Sequence, residues 1–261
     1  MKLIEPSVEL IKQESGVEGI YKQIERAGRI CYKSEDKITE DSAKKFVDML
    51  INNGHGAMLE HGTVYLLFAN TGDDTGYFIQ YDNNPYSIAT YDKLGYVYVT
   101  TNFRVLIENN WLDDLQYLCE PTKYHEKRYT LKFITSIGIT RELIRHRHFS
   151  FANESTRYCN YFKSKFGGEI TFINPYWHIK KDNFDAVLED AENNYLIAIK
   201  GGLKPQEARE ILPLCTKSEI IMTGFESDWK HFFKLRCDKA AHPDMQIIAN
   251  KAKEIINNEK V

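Results

Sequence analysis

The sequence predicts an α+β fold in which helices flank a mixed sheet, and three observations support this class. Its 261 residues are 43% hydrophobic and 27% charged, the balance of a globular protein with a sizeable core. Helical and extended periodicities both occur, but they do not alternate as regular βαβ units. No internal repeat or low-complexity tract divides the chain, so we expect one domain over residues 1–261.

Helical segments are predicted from the spacing of apolar residues and from capping residues. The clearest is Asp182–Lys200, which keeps a helical period and is ended by Gly201 and Gly202. The predicted helices are Val17–Ile30, a segment capped by Thr39 and ended by Gly54, Phe103–Leu118, a short helix from Thr140 through Arg147, Asp182–Lys200, a segment from Pro205 that ends before Pro213, Asp228–Cys237 capped by Ser227, and Met245–Asn257.

Extended segments are predicted from β-branched and aromatic content and from alternation. In Lys127–Thr135, the apolar residues Tyr129, Leu131 and Phe133 share one side of a half-buried strand. Glycine, proline and several Asn and Asp residues make Asn70–Leu94 a predicted loop. The predicted strands are Ser7–Gln13, Thr63–Ala69, Tyr96–Thr101, Lys127–Thr135, Glu169–Ile173 and Ser218–Thr223.

Composition excludes several classes of protein. The longest apolar run, Val64–Ala69, is far shorter than the roughly 20 residues of a membrane helix. The N-terminus lacks the apolar core of a signal peptide. Five dispersed cysteines give no disulfide framework, so we expect a reducing, cytoplasmic setting. A net charge of −3 makes nucleic acid an unlikely partner for the whole surface.

Positive charge is concentrated in one segment. Residues 122–165 contain ten Lys or Arg and three Asp or Glu, a local charge of +7, whereas the rest of the chain carries −10. A bounded basic segment in a mildly acidic protein suits a small anionic ligand better than a polymer. The alternative is a solvated positive face.

The densest candidate site lies between Arg141 and Tyr158. If its first part is helical, Arg141, Arg145 and His148 share a face, and such stacked cations favour an anionic ligand. Ser155, Thr156 and Arg157 add hydroxyls and another guanidinium, so this region predicts a phosphate or dinucleotide site. The alternative is an arginine network paired to carboxylates such as Glu142 and Glu154.

Two further clusters carry polar side chains that could serve a site. His55 and His61 are spaced poorly for a zinc pair, so we expect no metal; a cofactor contact or a packed turn are the alternatives. Arg209 and Arg236 stand beside apolar residues, where a buried ion pair is the alternative to a functional role. The cysteines have no adjacent histidine and are interpreted as packing residues.

Arg145-His146-Arg147, followed after seven residues by Ser155, resembles the signature of the flavin-dependent thymidylate synthase family. The resemblance continues in Ser155-Thr156-Arg157-Tyr158. Three more blocks follow the family's order: Gly54-His55 with Glu60-His61, Ala208-Arg209-Glu210-Ile211-Leu212-Pro213, and Leu235-Arg236 with Ala241-His242-Pro243. Residues from about 70 to 129 match nothing in the shorter members and are predicted to be an insertion.

This resemblance implies an α+β fold of the same kind, a homotetramer and bound FAD. It also implies conversion of dUMP to dTMP, with methylenetetrahydrofolate as carbon donor and NADPH as reductant, and the flavin carrying the hydride chemistry. The resemblance places Arg236 by the uracil ring as the catalytic cation. By the same resemblance, the cofactor-binding residues are Arg145, His146, Arg147, Asn153, His55 and His231, and the substrate-binding residues are Ser155, Thr156, Arg157, Arg209, Arg236, Arg145 and Glu142.

The chain also departs from the family pattern. The family often has Gln at position 142 and Ser or Thr at position 57, where this chain has Glu142 and Ala57. It often has Glu at position 153, where Asn153 stands here with Glu154 next to it, so which of the two faces the site is open. Asn and Arg are usual at positions 225 and 227, so no flavin contact is expected from Phe225 or Ser227.

Two other functional hypotheses remain open from the sequence. A noncatalytic nucleotide- or RNA-binding protein could use the basic segment 122–165, with bases stacked on the tyrosines at positions 77, 81, 86, 91, 96 and 98. A metal-dependent hydrolase would need ligands from His55, His61, His125 and His146, whose spacings are poor.

Overall fold

The computed structural model describes residues 1–69, 79–161, 168–177 and 183–259. Strands and helices alternate irregularly along these ranges, which confirms the α+β class. The strands are β1 (Lys2–Ile4), β2 (Ser7–Leu10), β3 (Thr63–Phe68), β4 (Ile88–Tyr91), β5 (Val97–Asn102), β6 (Arg128–Ser136), β7 (Ser150–Asn153), β8 (Thr171–Ile173) and β9 (Lys217–Phe225). The helices are α1 (Gly16–Ile30), α2 (Ser42–Asn52), α3 (Gly56–Leu59), α4 (Ile79–Asp82), α5 (Phe103–Asn109), α6 (Ile137–Leu143), α7 (Phe184–Lys200), α8 (Pro205–Ala208), α9 (Glu226–Arg236) and α10 (Pro243–Glu259).

The main sheet is antiparallel, with strand order β2-β6-β9-β7. β6 and β9 pair along their whole length, from Arg128 opposite Phe225 to Ser136 opposite Lys217. The alternation predicted for Lys127–Thr135 is confirmed, because Leu131 and Phe133 are fully buried in the core.

Each face of the main sheet has a different cover. Ile220 and Met222 of β9 point into an apolar core closed by α9 and α10. Between them along the strand, Ile221 points to the opposite face, where it packs with Ala27 of α1. Because side chains alternate along a strand, the register of β9 decides which residues meet α1 and which meet the helices behind.

A second sheet, with order β3-β5-β4, packs against α1 and α2. Arg128, the first residue of β6, joins this sheet to the main one. Its guanidinium donates to Thr63 Oγ1 at 3.3 Å and to the Glu60 carbonyl at 3.1 Å, and its main-chain N–H donates to the Tyr65 hydroxyl at 3.1 Å. A parallel pair of β1 and β8 packs separately with α7 and α8.

The predicted loop Asn70–Leu94 is wrong where the structure describes it, because α4 and β4 lie within it; residues 70–78 are outside the described ranges. Tyr81 of α4 is fully buried, and its hydroxyl donates to Asp114 Oδ2 at 2.6 Å. β4 pairs with β5. Packing and strand pairing therefore override the polar composition of this segment.

Predicted helix boundaries failed at two places near the second sheet and the candidate site. The helix predicted over Phe103–Leu118 ends at Asn109, because Asn110 takes the left-handed conformation at φ 59°, and a 3₁₀ turn follows. The helix predicted to start at Thr140 is instead capped by Ser136, whose Oγ accepts the Ile139 N–H at 3.3 Å. It therefore begins earlier and ends at Leu143.

The other predicted segments match helices or strands of the structure within a few residues, with two wrong caps. Thr39 does not cap α2, because Asp41 takes the cap position of that helix. Ser227 does not cap α9; Phe225 takes the cap position, and its N–H is held by Asp228 Oδ2 at 3.2 Å. Among the elements that sequence reasoning missed is β7, a four-residue edge strand without a distinctive pattern. It lies in the chain between α6 and Ser155.

Candidate functional site

Arg236, at the end of α9, reaches across to the end of α6. Its Nε donates to His146 Nε2 at 2.8 Å, and its Nη1 donates to Glu142 Oε2 at 3.0 Å. Nη2 donates to the Glu142 carbonyl at 3.3 Å. The structure thus brings three predicted site residues, Glu142, His146 and Arg236, into one group, called the Arg236 cluster below.

Within this cluster His146 is neutral at pH 7. Burial, together with the charges of Arg236 and His231, lowers the pKa of His146 to about 4. Since Arg236 donates to Nε2, the neutral ring carries its proton on Nδ1. The ring also packs edge-on against Phe232, with centroids 4.9 Å apart. Arg236 is therefore held by two neutral acceptors, the His146 ring and the Glu142 carbonyl, and by the Glu142 carboxylate.

The predicted helical face of Arg141, Arg145 and His148 is wrong. α6 ends at Leu143, and the chain then turns so that β7 can start at Ser150 beside Thr223. Exposed arginines nonetheless project from this region: Arg141, Arg145 and Arg147 have no ion-pair partner among the residues that the structure describes. Their exposed guanidinium groups suit an anionic ligand.

A second group of predicted residues forms around residues 155–158, called the Ser155 turn below. The Ser155 N–H donates to the Cys31 carbonyl at 3.1 Å, and Ser155 Oγ accepts the Arg157 N–H at 3.3 Å. Arg157 Nε donates to Gln206 Oε1 at 3.2 Å. Gln206 lies in α8, and Arg209 follows directly after that helix. Arg157 thus contacts the helix that directly precedes Arg209, and Thr156, between Ser155 and Arg157, is half-buried.

Arg209 is not the buried ion-pair partner that its apolar neighbours suggested. Its side chain is 41% exposed, and its Nε lies 3.6 Å from Glu210 Oε1. No histidine hydrogen-bonds to Ser155 within the described ranges, so no general base stands ready to activate its hydroxyl.

Glu154 is buried more deeply than its neighbour Asn153. The Glu154 side chain is only 1% exposed, and its Oε2 accepts from Lys217 Nζ at 3.0 Å and from the Glu219 N–H at 3.1 Å. Asn153 is half-buried, with its Oδ1 accepting from Ser218 Oγ at 3.0 Å. Both side chains thus attach β7 and the following turn to β9.

The histidines of the upstream block have separate environments. His55 is exposed at the start of α3, which packs beside β7. His61 is fully buried, with Nδ1 2.8 Å from Thr223 Oγ1, and burial and Arg128 lower its pKa to about 3. His231 is exposed on α9. Among the described residues, no group of three or more His, Cys, Asp or Glu side chains could hold a metal ion.

The cysteines are poor nucleophiles in this fold. Burial raises the pKa of every thiol, to about 12 for Cys159 and about 11 for Cys215. Thiols with raised pKa values are protonated at neutral pH and do not attack an electrophile readily. The full set with raised pKa values is Cys31, Cys119, Cys159, Cys215 and Cys237.

Sequence reasoning missed three residues that organise the site: Gln206, Lys217 and Glu219. Gln206 lies 49 residues from its partner Arg157, so its role depends on tertiary contact alone. Lys217 and Glu219 did leave a signal, because two charges alternate at the start of an otherwise apolar strand. Charged residues at buried strand positions indicate a paired polar cluster.

The model of the Thy1 family, described as thymidylate synthase complementing protein, matches residues 124–259, more than half of the chain. The chain belongs to the Thy1 family. The matched segment contains the Arg236 cluster and the Ser155 turn, but not His55 or the second sheet. Both groups of site residues thus lie inside the Thy1 match.

Individual relatives agree with the Thy1 assignment. A probable flavin-dependent thymidylate synthase of Paramecium bursaria Chlorella virus 1 is 31% identical over 146 residues, covering 50% of this chain and 66% of the viral protein. A flavin-dependent thymidylate synthase of a Synechocystis species is 31% identical over 139 residues, 48% of this chain and 64% of that protein. A flavin-dependent thymidylate synthase of Pyrococcus furiosus is 33% identical over 120 residues, covering 44% of this chain and 48% of that protein.

These matches span about half to two thirds of the relatives' own length. A longer match, to a flavin-dependent thymidylate synthase of Corynebacterium aurimucosum, is 22% identical over 241 residues and covers 87% of this chain. None of the helices in the described part of this Thy1 member is long and apolar enough to cross a membrane.

Proposed function

We propose that this Thy1 member is a flavin-dependent thymidylate synthase, which converts dUMP to dTMP with methylenetetrahydrofolate as carbon donor and NADPH as reductant. The observation that carries the proposal is the Arg236 cluster, in which residues from two separate motif blocks meet within 3.3 Å. The names of the curated relatives and the family match support the same reaction.

The Ser155 turn is proposed to hold the phosphate of dUMP. Ser155 and Thr156 offer hydroxyls, and Arg157 and Arg209 offer guanidinium groups whose geometry matches phosphate oxygens. Gln206 supports this role because it holds Arg157 beside the segment that carries Arg209. In this proposal the serine is a ligand of the phosphate and not a nucleophile.

The flavin is proposed to bind along the turn after α6. Arg145, His146 and Arg147 would contact FAD, with Arg145 also near the nucleotide. The donor set fits an anionic cofactor, since Arg145 and Arg147 are exposed and have no ion-pair partner in the described ranges. His55, His231 and Asn153 are the other proposed contacts. When bound, FAD supplies the hydride chemistry of the reaction.

Arg236 is proposed to act beside the uracil ring. A fixed cation there stabilises negative charge on the ring and makes the ring carbon more nucleophilic. Glu142 contributes through Arg236, because its carboxylate and carbonyl orient the guanidinium. The proposal needs no cysteine nucleophile, and the raised pKa values of the thiols support that feature.

We also propose a homotetramer in the cytoplasm. Within one chain, no hydrogen bond or ion pair of the described residues joins the Arg236 cluster to the Ser155 turn. A neighbouring subunit could supply the missing half of each site. Light scattering at working concentration is expected to give about four chains, and a fully active monomer would contradict the assembly.

The function is tested by flavin and nucleotide binding followed by product analysis. The purified protein is expected to show the absorption of bound FAD, or to quench FAD fluorescence in a titration. With dUMP, methylenetetrahydrofolate and NADPH, it is expected to form dTMP. Binding of dUMP or RNA without any FAD binding or dTMP formation would refute the enzyme and favour the noncatalytic hypothesis.

A further inference from the structure

β7 ends in an unusual way, just before the Ser155 turn. The Glu154 N–H still donates to the Glu219 carbonyl at 2.8 Å, as in a continued antiparallel ladder. The Glu219 N–H, however, donates to the Glu154 carboxylate at 3.1 Å and not to a main-chain carbonyl. The side chain thus replaces the next acceptor of the strand, and the main chain is free to leave the sheet at this residue.

The carboxylate that makes this replacement is buried among lysines. Lys217 Nζ lies 3.0 Å from Glu154 Oε2, and Lys33, Lys132 and Lys217 all contact the neighbouring Glu219. Burial would raise the pKa of Glu219, but Lys217 and Lys33 outweigh it and lower that pKa to about 2. With Glu35, which lies 3.4 Å from Lys33 Nζ, three carboxylates face the three lysines, so a buried carboxylate is tolerated here.

The turn that follows depends on this attachment. Ser155 comes directly after Glu154, and its N–H is bonded to the Cys31 carbonyl at the end of α1. Ser155 Oγ then accepts from the Arg157 N–H at 3.3 Å. The Ser155 hydroxyl is thus positioned from two sides. On one side its main chain is bonded to the end of α1, and on the other the preceding Glu154 carboxylate is bonded to β9.

We infer that Glu154 is a positioning residue for phosphate recognition: bound to Lys217 and to the Glu219 N–H, it holds the Ser155 turn in the conformation that grips the phosphate of a nucleoside monophosphate. The inference rests on the proposed function. Glu154 itself, with its side chain turned into the protein, does not touch the nucleotide. Its removal is expected to weaken recognition of the phosphate and to leave recognition of the base and sugar intact.

The test compares two ligands that differ only in the phosphate. Binding of dUMP and of deoxyuridine is measured by calorimetry, in the presence of FAD, for the wild type and for Glu154→Gln, Glu154→Ala, Ser155→Ala and Glu35→Ala. Glu35 is the matched control, since its carboxylate also borders this cluster, 3.4 Å from Lys33 Nζ, but is 38% exposed and remote from the turn in sequence. Thermal melting of each variant is recorded alongside.

The wild type is expected to prefer dUMP strongly. Glu154→Ala should lower dUMP affinity about tenfold or more with deoxyuridine affinity unchanged, as in Ser155→Ala. Glu154→Gln keeps an acceptor for the Glu219 N–H and should therefore retain more of the preference for dUMP over deoxyuridine than Glu154→Ala does. Glu35→Ala should retain the full preference of the wild type. Partial rescue by glutamine separates positioning from a general loss of structure.

Three results would overturn the inference. Folded Glu154→Ala with both affinities unchanged would show that the turn does not need the carboxylate. Equal weakening of both ligands would show a structural role only. If Glu154→Ala does not fold, Glu154→Gln is the deciding variant. The inference is then wrong if Glu154→Gln prefers dUMP over deoxyuridine as strongly as the wild type does. A wild type that does not discriminate the ligands refutes the proposed function itself, before any variant is examined.

Discussion

Replacing Arg236 with alanine separates its chemical role from its structural one. The substitution removes three hydrogen bonds that connect α9 to α6 and leaves Glu142 without its cationic partner. The guanidinium is 20% exposed and the Glu142 side chain 32% exposed, so water can solvate what remains. We therefore expect a folded protein with moderately lower stability.

The size of the stability loss follows from those contacts. Three partly solvated bonds at roughly 0.5–1.5 kcal/mol each give a loss of about 1.5–4.5 kcal/mol in the free energy of unfolding. For a chain of this length such a loss lowers the melting temperature by roughly 3–8 °C. The effect on catalysis should be much larger, because a missing charge-stabilising group typically costs about 10²–10³ in turnover.

The assay combines thermal melting, FAD titration and dTMP formation at saturating dUMP. Lys234→Ala is the matched control, since Lys234 is an exposed cation on the same helix. It should keep turnover within about twofold of the wild type, as expected for a surface substitution away from the site. If Arg236→Ala keeps near-normal turnover, the proposed role of this cation is refuted. If it loses FAD and structure together, its main role is structural.

Two further predictions concern stability. The pKa of Glu219 is about 2, below its ordinary value of 4.5, so its stabilisation is complete above pH 4.5 and is lost as pH falls towards 2. That loss is about 3 kcal/mol. The free energy of unfolding, measured with urea across this pH range, should therefore depend less steeply on pH in Glu219→Gln than in the wild type. The same pH dependence in both proteins would contradict the assignment. Glu126 Oε1 accepts the Ser227 N–H at 2.8 Å and so caps α9 from outside the helix. Glu126→Ala should cost about 1 kcal/mol and roughly 2 °C in melting temperature, with Glu120→Ala unchanged as control; equal melting of both variants would rule out the cap.

The sequence was informative where periodicity was strong. Val17–Ile30 was predicted as a helix and is one, Gly16–Ile30 in the structure, because its apolar residues repeat at helical spacing along a buried face. The alternation of Lys127–Thr135 gave β6, whose central residues are buried on one face. In both cases the local pattern and the tertiary environment favour the same structure.

Elsewhere the outcome depended on contacts that no local pattern contains. The short strand β7 exists because Ser150–Asn153 pairs with β9, some 70 residues away along the chain. α6 stops at Leu143 for the same reason, since the following residues must reach that strand. Helical spacing of Arg141, Arg145 and His148 was therefore misleading, although all three side chains are exposed.

For the candidate site, resemblance supplied the residues but not their partners. The motif blocks identified Arg236, His146 and Glu142, and the structure joined them by hydrogen bonds across 90 or more residues of sequence. A free carboxylate at position 142 would repel a nucleotide phosphate, which is an objection to Glu142 at a substrate site. Its pairing with Arg236 removes that objection, because the carboxylate charge is balanced by the guanidinium.

One continuous segment, Lys217–Arg236, links the two groups of site residues. Its first residues hold Glu154 and Asn153, and through them the Ser155 turn. Its last residue is Arg236 itself. Since side chains on a strand alternate, a slip of β9 by one residue would move Lys217 and Glu219 to the apolar face under α9 and α10. The buried core at Ile220 and Met222 opposes such a slip, so packing on one face of the sheet maintains the polar geometry on the other.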